Sequence, residues 1–426
     1  MDQFHESGKI LKKEKYILSK YAKHQQLIKE AKQNPSLYNF IEKSFLQLFK
    51  YTILFFILCL ISLLYLMPTK IEEKYKEIEK YIKFNLEGNL EHSPNNFCKK
   101  ENPEISIIVS TFNGEVYIKP AVRSVQNQNF LNIEIIIVDD GSMDNSIEVI
   151  KELMEEDRRI KFLCNGVNRG TLYTKTKGVL NAKGKYVMTL DQDNLYSNKN
   201  VFYNLYREAE QYNLDLLGFS TISSGVKLNL TKSYFLNYFR THIVRKPNLK
   251  KRFLGYDSRI ESGIYLCLYF IKTNLFLNAI KQLGDEFINR NIDAHDDTIL
   301  MFILSRIAVS LKHLKEIYYI LLQWPEKYFE SLKFQRAVKL RERERKNCYS
   351  YLTLIEIVNK FTEDNEKFIA EKCLYIWFLS QEKCRNNTGI MNYAIRVLNF
   401  FLNDKHISSK TKKNINLYLN KTKQQK

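Results

Sequence analysis

Several common sequence motifs are missing from this chain, and each absence excludes a class of protein. None of the seven cysteines stands in a C-x-x-C pair, so the usual spacing of a zinc finger is absent. Neither G-x-G-x-x-G nor G-x-x-x-x-G-K-[ST] occurs, which excludes the glycine-rich phosphate loops of dinucleotide-binding and P-loop proteins. No aromatic–glycine RNA-binding signature is present either.

The chain is strongly basic, with a formal net charge of +19. Such a balance can indicate a nucleic-acid partner or an anionic membrane surface. Here the lysines are spread along the chain and interleaved with glutamates, and the densest run, 339–346, alternates in sign. This pattern is typical of a solvated helix face, so we predict no nucleic-acid partner.

With 426 residues, the chain has room for one large domain with appendages or for two domains. Hydrophobic residues make up 45% and charged residues 27%, as in a folded protein with an ample core. We predict five regions: a Lys-rich N-terminal segment (1–44), a transmembrane helix (45–67), a stalk and linker (68–102), a catalytic domain (103–325) and a helical C-terminal region (326–426).

The region 45–67 contains the most apolar stretch of the chain. Residues 51–67 (YTILFFILCLISLLYLM) form an unbroken uncharged run between Lys50 and Lys70. With interfacial residues added, its length approaches the ~20 residues that a membrane-spanning helix needs. The alternative is a buried core helix, but the run has no polar face, so we predict a single-pass membrane anchor.

The orientation of this anchor is predicted from its flanking charges. More lysines follow the run than precede it, and the positive-inside rule then favours a cytosolic C-terminal side. The N-x-[ST] sequons at Asn229, Asn386 and Asn420 would suit a lumenal domain instead, although an Asn-rich chain produces such triplets by chance. We expect a membrane protein of the endomembrane system, in the ER or Golgi.

Apolar runs of strand length alternate with helical patterns from residue 105 onward. The runs begin at Ile105, Ile133, Ile160 and Tyr186. Near-continuous apolar strands in β-α-β-α order predict a parallel sheet that is covered by helices on both faces. The expected fold class is therefore α/β, with a doubly wound, mostly parallel sheet, an N-terminal transmembrane helix and a helical C-terminal region.

Polar turns follow three of these strands. Ser110–Gly114 follows the first strand, Asp139–Ser142 the second and Asp191–Asp193 the fourth. In open α/β sheets, ligands bind at the carboxyl ends of the strands. The last turn is a D-x-D, and two carboxylates so close together repel each other unless a hard divalent cation such as Mg²⁺ or Mn²⁺ binds both. A polar turn without a ligand is the structural alternative.

Together these segments resemble the nucleotide-binding half of a family 2 glycosyltransferase with the GT-A fold. The resemblance rests on ISIIVSTFNG, SVQNQ, IEIIIVDDGSMDNS and NRGTLYTKTKGVLNAKGKYVMTLDQDN, in the family's order and spacing over residues 103–200. It implies a glycosyltransferase with a nucleotide-diphosphate sugar as donor, and we expect a UDP-sugar. It also implies a divalent metal, Mn²⁺ or Mg²⁺, as cofactor.

The resemblance assigns roles to residues at this edge of the sheet. Asp139 would contact the base and ribose of the donor, with Asp140 beside it. Asp191 and Asp193 would hold the metal on the donor diphosphate. Lys175 stands where many members have the Arg of an Arg-Asn pair, so a cation is kept near the diphosphate.

Three further positions complete the predicted donor site. Thr111 and Asn113 lie in the turn after the first strand, where the family often has Pro-Thr-Tyr-Asn and this chain has Ser-Thr-Phe-Asn, a mild departure. Gly170 precedes a helix, and a helix N-terminus can bind phosphate through its free N–H groups.

The predicted catalytic residues are the acidic pair Asp296 and Asp297. The family keeps such a pair here, usually Glu-Asp, and its second member is the general base. The resemblance therefore makes Asp297 the base, with Asp296 in place of the Glu. From the residues alone, two carboxylates at a helix start equally fit an ordinary cap that interacts with the helix dipole.

The predicted function is the metal-dependent, inverting transfer of one sugar to a hydroxyl of an unidentified glycan, lipid or protein acceptor. Processive members of the family carry a Q-x-x-R-W motif and several spanning helices, and this chain has neither. Two alternatives stay open: an inactive nucleotide-sugar-binding membrane protein, and a nucleotidyltransferase on a similar sheet. The second would want a Gly-rich loop bearing Arg or Lys after the first strand, where this chain has STFNG.

Overall fold

A computed structural model of the protein describes residues 76–93, 101–223, 243–245, 265–322, 336–363 and 388–424, with a few single positions before residue 100. The chain divides into two compact units, Met1–Glu77 and Ile78–Lys426. Nearly all described residues belong to the second unit, which contains the sheet and the helices that cover it. The predicted division into five regions stays a prediction.

One sheet of nine strands organises the described part of the second unit. The strands are β1 (Ile105–Thr111), β2 (Ile133–Asp139), β3 (Ile160–Cys164), β4 (Tyr186–Asp191), β5 (Leu195–Tyr196), β6 (Leu216–Ser223), β7 (Val244–Arg245), β8 (Tyr269–Lys272) and β9 (Ser310–Leu321). Their spatial order is β3-β2-β1-β4-β8-β6-β9-β5, and β7 pairs with β9.

Helices cover this sheet and continue beyond it in the sequence. They are α1 (Ile118–Gln126), α2 (Ser146–Glu156), α3 (Thr171–Leu180), α4 (Val201–Tyr212), α5 (Thr273–Leu283), α6 (Asp285–Ile288), α7 (Asp296–Ile307), α8 (Arg336–Phe361), α9 (Thr388–Asn403) and α10 (Ser409–Gln424). The last three contain most of the described residues of the region predicted to be helical.

The first half of the sheet is parallel, as the alternation of apolar runs and helices predicted. β1 lies between β2 and β4, and β3 extends the sheet on the far side of β2. The residues of β1 and β2 are almost all buried. Strands with helices on both faces have no solvent side, and this explains their near-continuous runs of Ile and Val.

The prediction of a mostly parallel sheet is wrong for the second half of the sheet. β8 runs antiparallel to both β4 and β6. β9 is parallel to β6 but antiparallel to β5 and β7. The sheet is therefore mixed. An apolar run predicts burial but not direction, because it has the same composition whichever way the strand runs.

The predicted transmembrane helix and single-pass membrane localisation are also corrected. Within the described residues, no helix combines the length and the apolar composition that crossing a bilayer requires. The longest described helix, α8, has 26 residues, but charged side chains are spread along its N-terminal half. Of the predicted span 45–67, only positions 52, 53, 55 and 56 are described, and the rest lies outside the described residues.

Candidate active site

The register of the first strands brings the polar turns to one edge of the sheet. Thr111 at the end of β1 pairs with Asp139 at the end of β2. On the other side of β1, Ser110 pairs with Asp191 at the end of β4. The two aspartates therefore flank the turn that follows β1. This is the edge at which the sequence predicted a ligand site.

Gln192 lies between the two aspartates of the D-x-D. Its side chain forms hydrogen bonds that connect the turn after β4 to the turn after β1. Its Oε1 accepts hydrogen bonds from Thr111 Oγ1 at 2.6 Å and from the Phe112 N–H at 3.0 Å. Its Nε2 donates to the Phe112 carbonyl at 3.2 Å. A Cβ on Gly114 would lie 2.2 Å from Gln192 Oε1, so only glycine leaves room for this contact.

The turn after β1 is also fastened to the turn after β2. The Asn113 N–H donates to Ser142 Oγ at 2.9 Å, and the Met143 N–H donates to Asn113 Oδ1 at 2.9 Å. Asn113 adopts a left-handed backbone with φ of 50°, which Asn tolerates better than most residues. Thr111 and Asn113, predicted to bind the donor, therefore also hold the loops of the site together.

Asp139 and Asp140 are buried at the end of β2 and shape the neighbouring loops. Asp139 Oδ2 accepts from the N–H groups of Gly141 and Ser142, each at 3.0 Å. Asp139 Oδ1 is buried and has no hydrogen-bond partner among the described residues. Asp140 accepts from the Gly170 N–H at 2.9 Å and anchors the start of α3. Among the described residues, both oxygens of Asp140 have donors and Asp139 Oδ1 has none, so Asp139 has the acceptor atom that a ligand could use.

Two glycines let helix α3 pack closely against its neighbours, one at the sheet and one at the segment around Ile292. A Cβ on Gly178 would sit 2.3 Å from Ile108 Cγ2, so this glycine lets the helix approach β1. Gly170, with φ of +89°, would place a Cβ 2.6 Å from the Ile292 backbone nitrogen. The Ile292 carbonyl accepts from the Leu172 N–H at 3.1 Å. The segment that leads to the acidic pair therefore rests on the N-terminus of α3, where a phosphate was predicted.

Lys175 on α3 lies at the centre of an acidic cluster. Its Nζ lies 2.7 Å from Asp297 Oδ1 and 2.9 Å from Asp296 Oδ2. It lies 3.3 Å from Asp191 Oδ1. The lysine side chain is only 5% exposed. The structure thus brings together one aspartate of the D-x-D and both members of the acidic pair, and the ammonium is their shared counter-ion.

The second oxygen of Asp191 faces the buried residue Tyr319 of β9. The tyrosine hydroxyl donates to Asp191 Oδ2 at 3.4 Å, and the Asp191 N–H donates to the same hydroxyl at 3.2 Å. Tyr319 was not predicted as a site residue. No local pattern in the sequence indicates it, because only the pairing of distant strands brings β9 to this edge.

The carboxylates of the cluster differ in their pKa values. Burial, followed by the charge of Asp191, raises the pKa of Asp193 to about 6. Burial also raises the pKa of Asp297; Lys175 lowers it, the charges of Asp296 and Asp191 raise it again, and it lies at about 7. Burial acts on Asp296 in the same direction, but the ion pair with Lys175 outweighs it and the pKa is lowered.

The sequence of this region matches a known family. Residues 106–261 match the family model described as Glycosyl transferase family 2. The chain carries a family 2 glycosyltransferase domain. The resemblance found in the sequence is confirmed, and the matched segment contains the D-x-D, Lys175 and the turns after β1 and β2.

Curated relatives of the glycosyltransferase domain show the extent of the match. An uncharacterized glycosyltransferase of Haemophilus influenzae is 38% identical over 96 residues, which are 22% of this chain and 38% of that protein. The GalNAc(5)-diNAcBac-PP-undecaprenol beta-1,3-glucosyltransferase of Campylobacter jejuni is 40% identical over 92 residues, 21% of this chain and 30% of that protein. The match therefore spans less than two fifths of either relative.

A solved structure shares the fold beyond the matched segment. The structure of S. aureus TarS 1-349 in complex with UDP-GlcNAc superposes with a TM-score of 0.52 at 16% identity. It covers 72% of this chain and 82% of that chain. At this identity the likeness shows the fold alone, an α/β fold with a mixed sheet.

The glycosyltransferase domain has a charge pattern into which a divalent cation would fit. Asp191, Asp193, Asp296 and Asp297 bring four carboxylates to a site where Lys175 is the cation that pairs with three of them. Burial raises the pKa of Asp193 and the charge of Asp191 adds to the shift, so a cation bound to both carboxylates would favour their ionised forms. No group of three or more His, Cys, Asp or Glu arranged to hold a metal occurs in the described part of the chain. Asp193, with Asp191, would therefore need further oxygen ligands from the donor.

Proposed function

We propose that the protein transfers a single sugar from a nucleotide-diphosphate sugar to an acceptor hydroxyl, with inversion at the anomeric carbon and with the help of a divalent metal. The proposal rests on one observation: the acidic pair, the D-x-D and Lys175 meet at the carboxyl edge of the sheet in a family 2 glycosyltransferase domain. A helix cap alone would not require a buried lysine shared by three carboxylates.

Asp297 is the base in this proposal. It takes the proton from the acceptor hydroxyl while the hydroxyl oxygen forms a bond to the anomeric carbon. The bond from that carbon to the donor diphosphate breaks, and the diphosphate leaves with the electron pair. With a pKa of about 7, Asp297 is partly ionised at neutral pH and still basic enough to hold the proton. Asp296 stays ionised beside Lys175 and keeps the ammonium in place.

The donor would lie along the turns after β1, β2 and β4. Asp139 Oδ1 has no hydrogen-bond partner in the described part of the chain, and this supports a role for Asp139 in holding the nucleoside, since a buried acceptor without a donor is costly. Asp191 and Asp193 would hold the metal, whose positive charge stabilises the leaving diphosphate when it is bound. The TarS neighbour is in complex with UDP-GlcNAc, and this supports a UDP-sugar as the first donor to test.

A panel of nucleotide sugars tests the proposal. Purified full-length protein is incubated with each nucleotide sugar, with and without Mn²⁺, and both donor hydrolysis and the melting temperature are measured. We expect one nucleotide class to raise the melting temperature and one sugar to be hydrolysed slowly without an acceptor. Stabilisation by a nucleotide sugar without turnover on any acceptor would indicate a binding protein, and the absence of both effects would rule out the proposed donor.

The stereochemistry and the reaction class are tested on the product. Transfer from an α-linked donor should give a β-linked product, which the anomeric coupling constant in NMR distinguishes. A product with the donor's configuration would exclude direct attack assisted by Asp297. Release of inorganic pyrophosphate from a nucleoside triphosphate would instead indicate a nucleotidyltransferase.

A further inference from the structure

A second site lies outside the acidic cluster, between the C-terminal helices and the loop that leads to α7. Described residues of α8, α9 and this loop surround a cavity of about 1140 Å³. None of the four clustered carboxylates lines it. Its volume is similar to the larger ligand pockets of proteins. The cavity therefore has room for a ligand that the acidic cluster does not hold.

Most of the charged side chains that line this cavity are cationic. Arg290, Lys346, Lys360 and Arg396 line it, together with the single carboxylate Glu356. Arg290 donates to Glu356 through both Nη atoms, at 2.7 and 3.2 Å. The charged side chains of the lining therefore favour an anion over a cation.

Not all of these cations are equally available to a ligand. Lys346 is paired with Asp293, and Lys360 is paired with Glu286. Arg396 is exposed and makes no ion pair with any of the described residues. Its guanidinium therefore has no carboxylate partner among the described residues, and a planar guanidinium binds phosphate or carboxylate oxygens in a bidentate manner.

Aromatic rings lie beside the Arg396 guanidinium. The rings of Tyr349 and Tyr393 have centroids 5.2 Å apart, and both residues line the cavity. The Arg396 Cζ lies 5.7 Å from the centroid of Tyr393. Phe400, which also lines the cavity, is 56% exposed. Ring faces next to a cation suit a ligand that has both an apolar face and a negative charge.

The cavity shares its loop with the acidic pair. Arg290 lines the cavity, and Ile292, two residues later, rests on the N-terminus of α3. Asp293 pairs with Lys346 of α8, and α7 begins three residues after it at Asp296. A ligand in the cavity would therefore lie against the same segment that positions the acidic pair.

We propose that this cavity binds a phosphate-bearing sugar of the acceptor. The proposal rests on the proposed function, because it names the class of acceptor that the transferase would use. The network of Arg290, Glu356 and Tyr393 could by itself fasten α8 and α9 to the domain. That structural role does not account for Arg396, whose guanidinium has no carboxylate partner in the described chain.

Direct titration of the full-length protein tests the cavity without any transfer reaction. Glucose 1-phosphate is the probe, glucose is its neutral counterpart and inorganic phosphate is its sugarless counterpart, all with UDP and Mn²⁺ present to occupy the donor site. We expect glucose 1-phosphate to bind, and glucose and inorganic phosphate to bind at least about tenfold more weakly, since each lacks one of the two recognised groups.

Substitutions at Arg396 then locate the binding. Arg396→Gln should weaken binding of glucose 1-phosphate at least about fivefold, as expected for an exposed charged contact of ~1 kcal/mol. Arg396→Glu should abolish it. Arg158→Gln, at an exposed arginine that no described carboxylate contacts, is the matched control and should bind like the wild type. All variants should melt like the wild type, since both arginines are exposed.

Two outcomes would overturn the cavity site. Binding that is unchanged in Arg396→Gln and Arg396→Glu would place the ligand elsewhere, and equal affinity for inorganic phosphate would remove the sugar from the proposal. Failure of the proposed function gives a different result: no sugar would be transferred, yet the Arg396 variants would still lose binding. Asp297→Asn should leave this binding unchanged, which separates the cavity from the acidic cluster.

Discussion

Lys175 Nζ and Asp297 Oδ1, which are 122 residues apart in the sequence, lie 2.7 Å apart in the structure. This ion pair joins helix α3 of the matched family domain to helix α7, which lies beyond the matched segment. Lys175 was predicted to contact the donor diphosphate. Its three carboxylate neighbours support a different expectation, in which the ammonium holds Asp297 and lowers its pKa.

We expect Lys175→Gln to change the pH dependence of transfer. A base must be ionised, so in the wild type the rate should rise as the pH passes through the pKa of Asp297, at about 7. Loss of the ammonium removes the charge that lowers this pKa, and the midpoint should therefore move to higher pH. The measurement is the initial rate of transfer against pH at saturating donor.

The same substitution should also destabilise the protein. Removing one partner of a buried ion pair costs about 3–5 kcal/mol, because the remaining charges are left uncompensated. Lys183→Gln, at an exposed lysine near the end of α3, is the control and should change neither property. A Lys175→Gln protein with an unshifted pH profile would show that the lysine does not act through Asp297.

Asp193→Ala should remove the effect of metal on nucleotide binding. Asp193 has a raised pKa because it is buried near Asp191, and a divalent cation would relieve that repulsion. We expect Mn²⁺ to increase the melting temperature of the wild type in the presence of UDP but not that of Asp193→Ala. Glu155→Ala, at an exposed carboxylate on α2, is the control. A full Mn²⁺-dependent increase in Asp193→Ala would exclude this residue as a metal ligand.

The sequence predicted the first half of the site better than the second. Strands β1, β2 and β4 are buried apolar runs that end in polar turns, so periodicity placed Asp139 and Asp191 at one edge. It did not place Lys175 among carboxylates, because that contact depends on how far α3 approaches β1, which Gly178 sets.

The sequence analysis did not predict residues whose role depends on contacts between segments that are far apart in the chain. Tyr319 reaches Asp191 because β9 enters a mixed sheet, and strand direction is not encoded in apolar composition. Gln192 stands inside the D-x-D, and its position beside two carboxylates could have indicated a role in fixing the turn. The membrane prediction used local hydropathy alone, and no described helix supports it.

Gly170→Ala should destabilise the protein more than Gly166→Ala. Both glycines have positive φ, at +89° and +75°, so either alanine strains the backbone. At Gly170 the new Cβ would also lie 2.6 Å from the Ile292 backbone, whereas no atom of the described residues lies within 4 Å at Gly166. We expect a loss of about 1 kcal/mol at Gly166 and clearly more at Gly170, measured by chemical unfolding.

The Gly170 substitution should also reduce transfer per folded molecule. Its clash displaces the Ile292 segment, and the acidic pair begins four residues later at Asp296. Gly166→Ala should leave transfer unchanged. Equal losses of stability in the two variants would mean that the Ile292 segment moves away without cost.

Asp296 and Asp297 are adjacent, but their pKa values are shifted in opposite directions. The lowered pKa of Asp296 means that its charge stabilises the fold above its unfolded pKa, and this contribution is lost as the pH falls through the folded value. The raised pKa of Asp297 has the opposite sign: its ionisation costs stability as the pH rises from about 4 to about 7. The first carboxylate is thus suited to hold Lys175 and the second to accept a proton.

Asn substitutions at the two positions should separate these roles. Asp297→Asn should lower transfer by roughly 10²-fold or more, because an amide cannot take the proton. Its stability relative to the wild type should improve as the pH rises from about 4 to about 7, since the costly ionisation is gone. Asp296→Asn should reduce transfer less and stability more. The rate of transfer per folded molecule measures the effect on activity. Chemical unfolding at about pH 5 and about pH 8 measures the effect on stability. The reverse ranking would move the base to Asp296, and an Asp297→Asn protein that is unstable but fully active would leave Asp297 only the role of a helix cap.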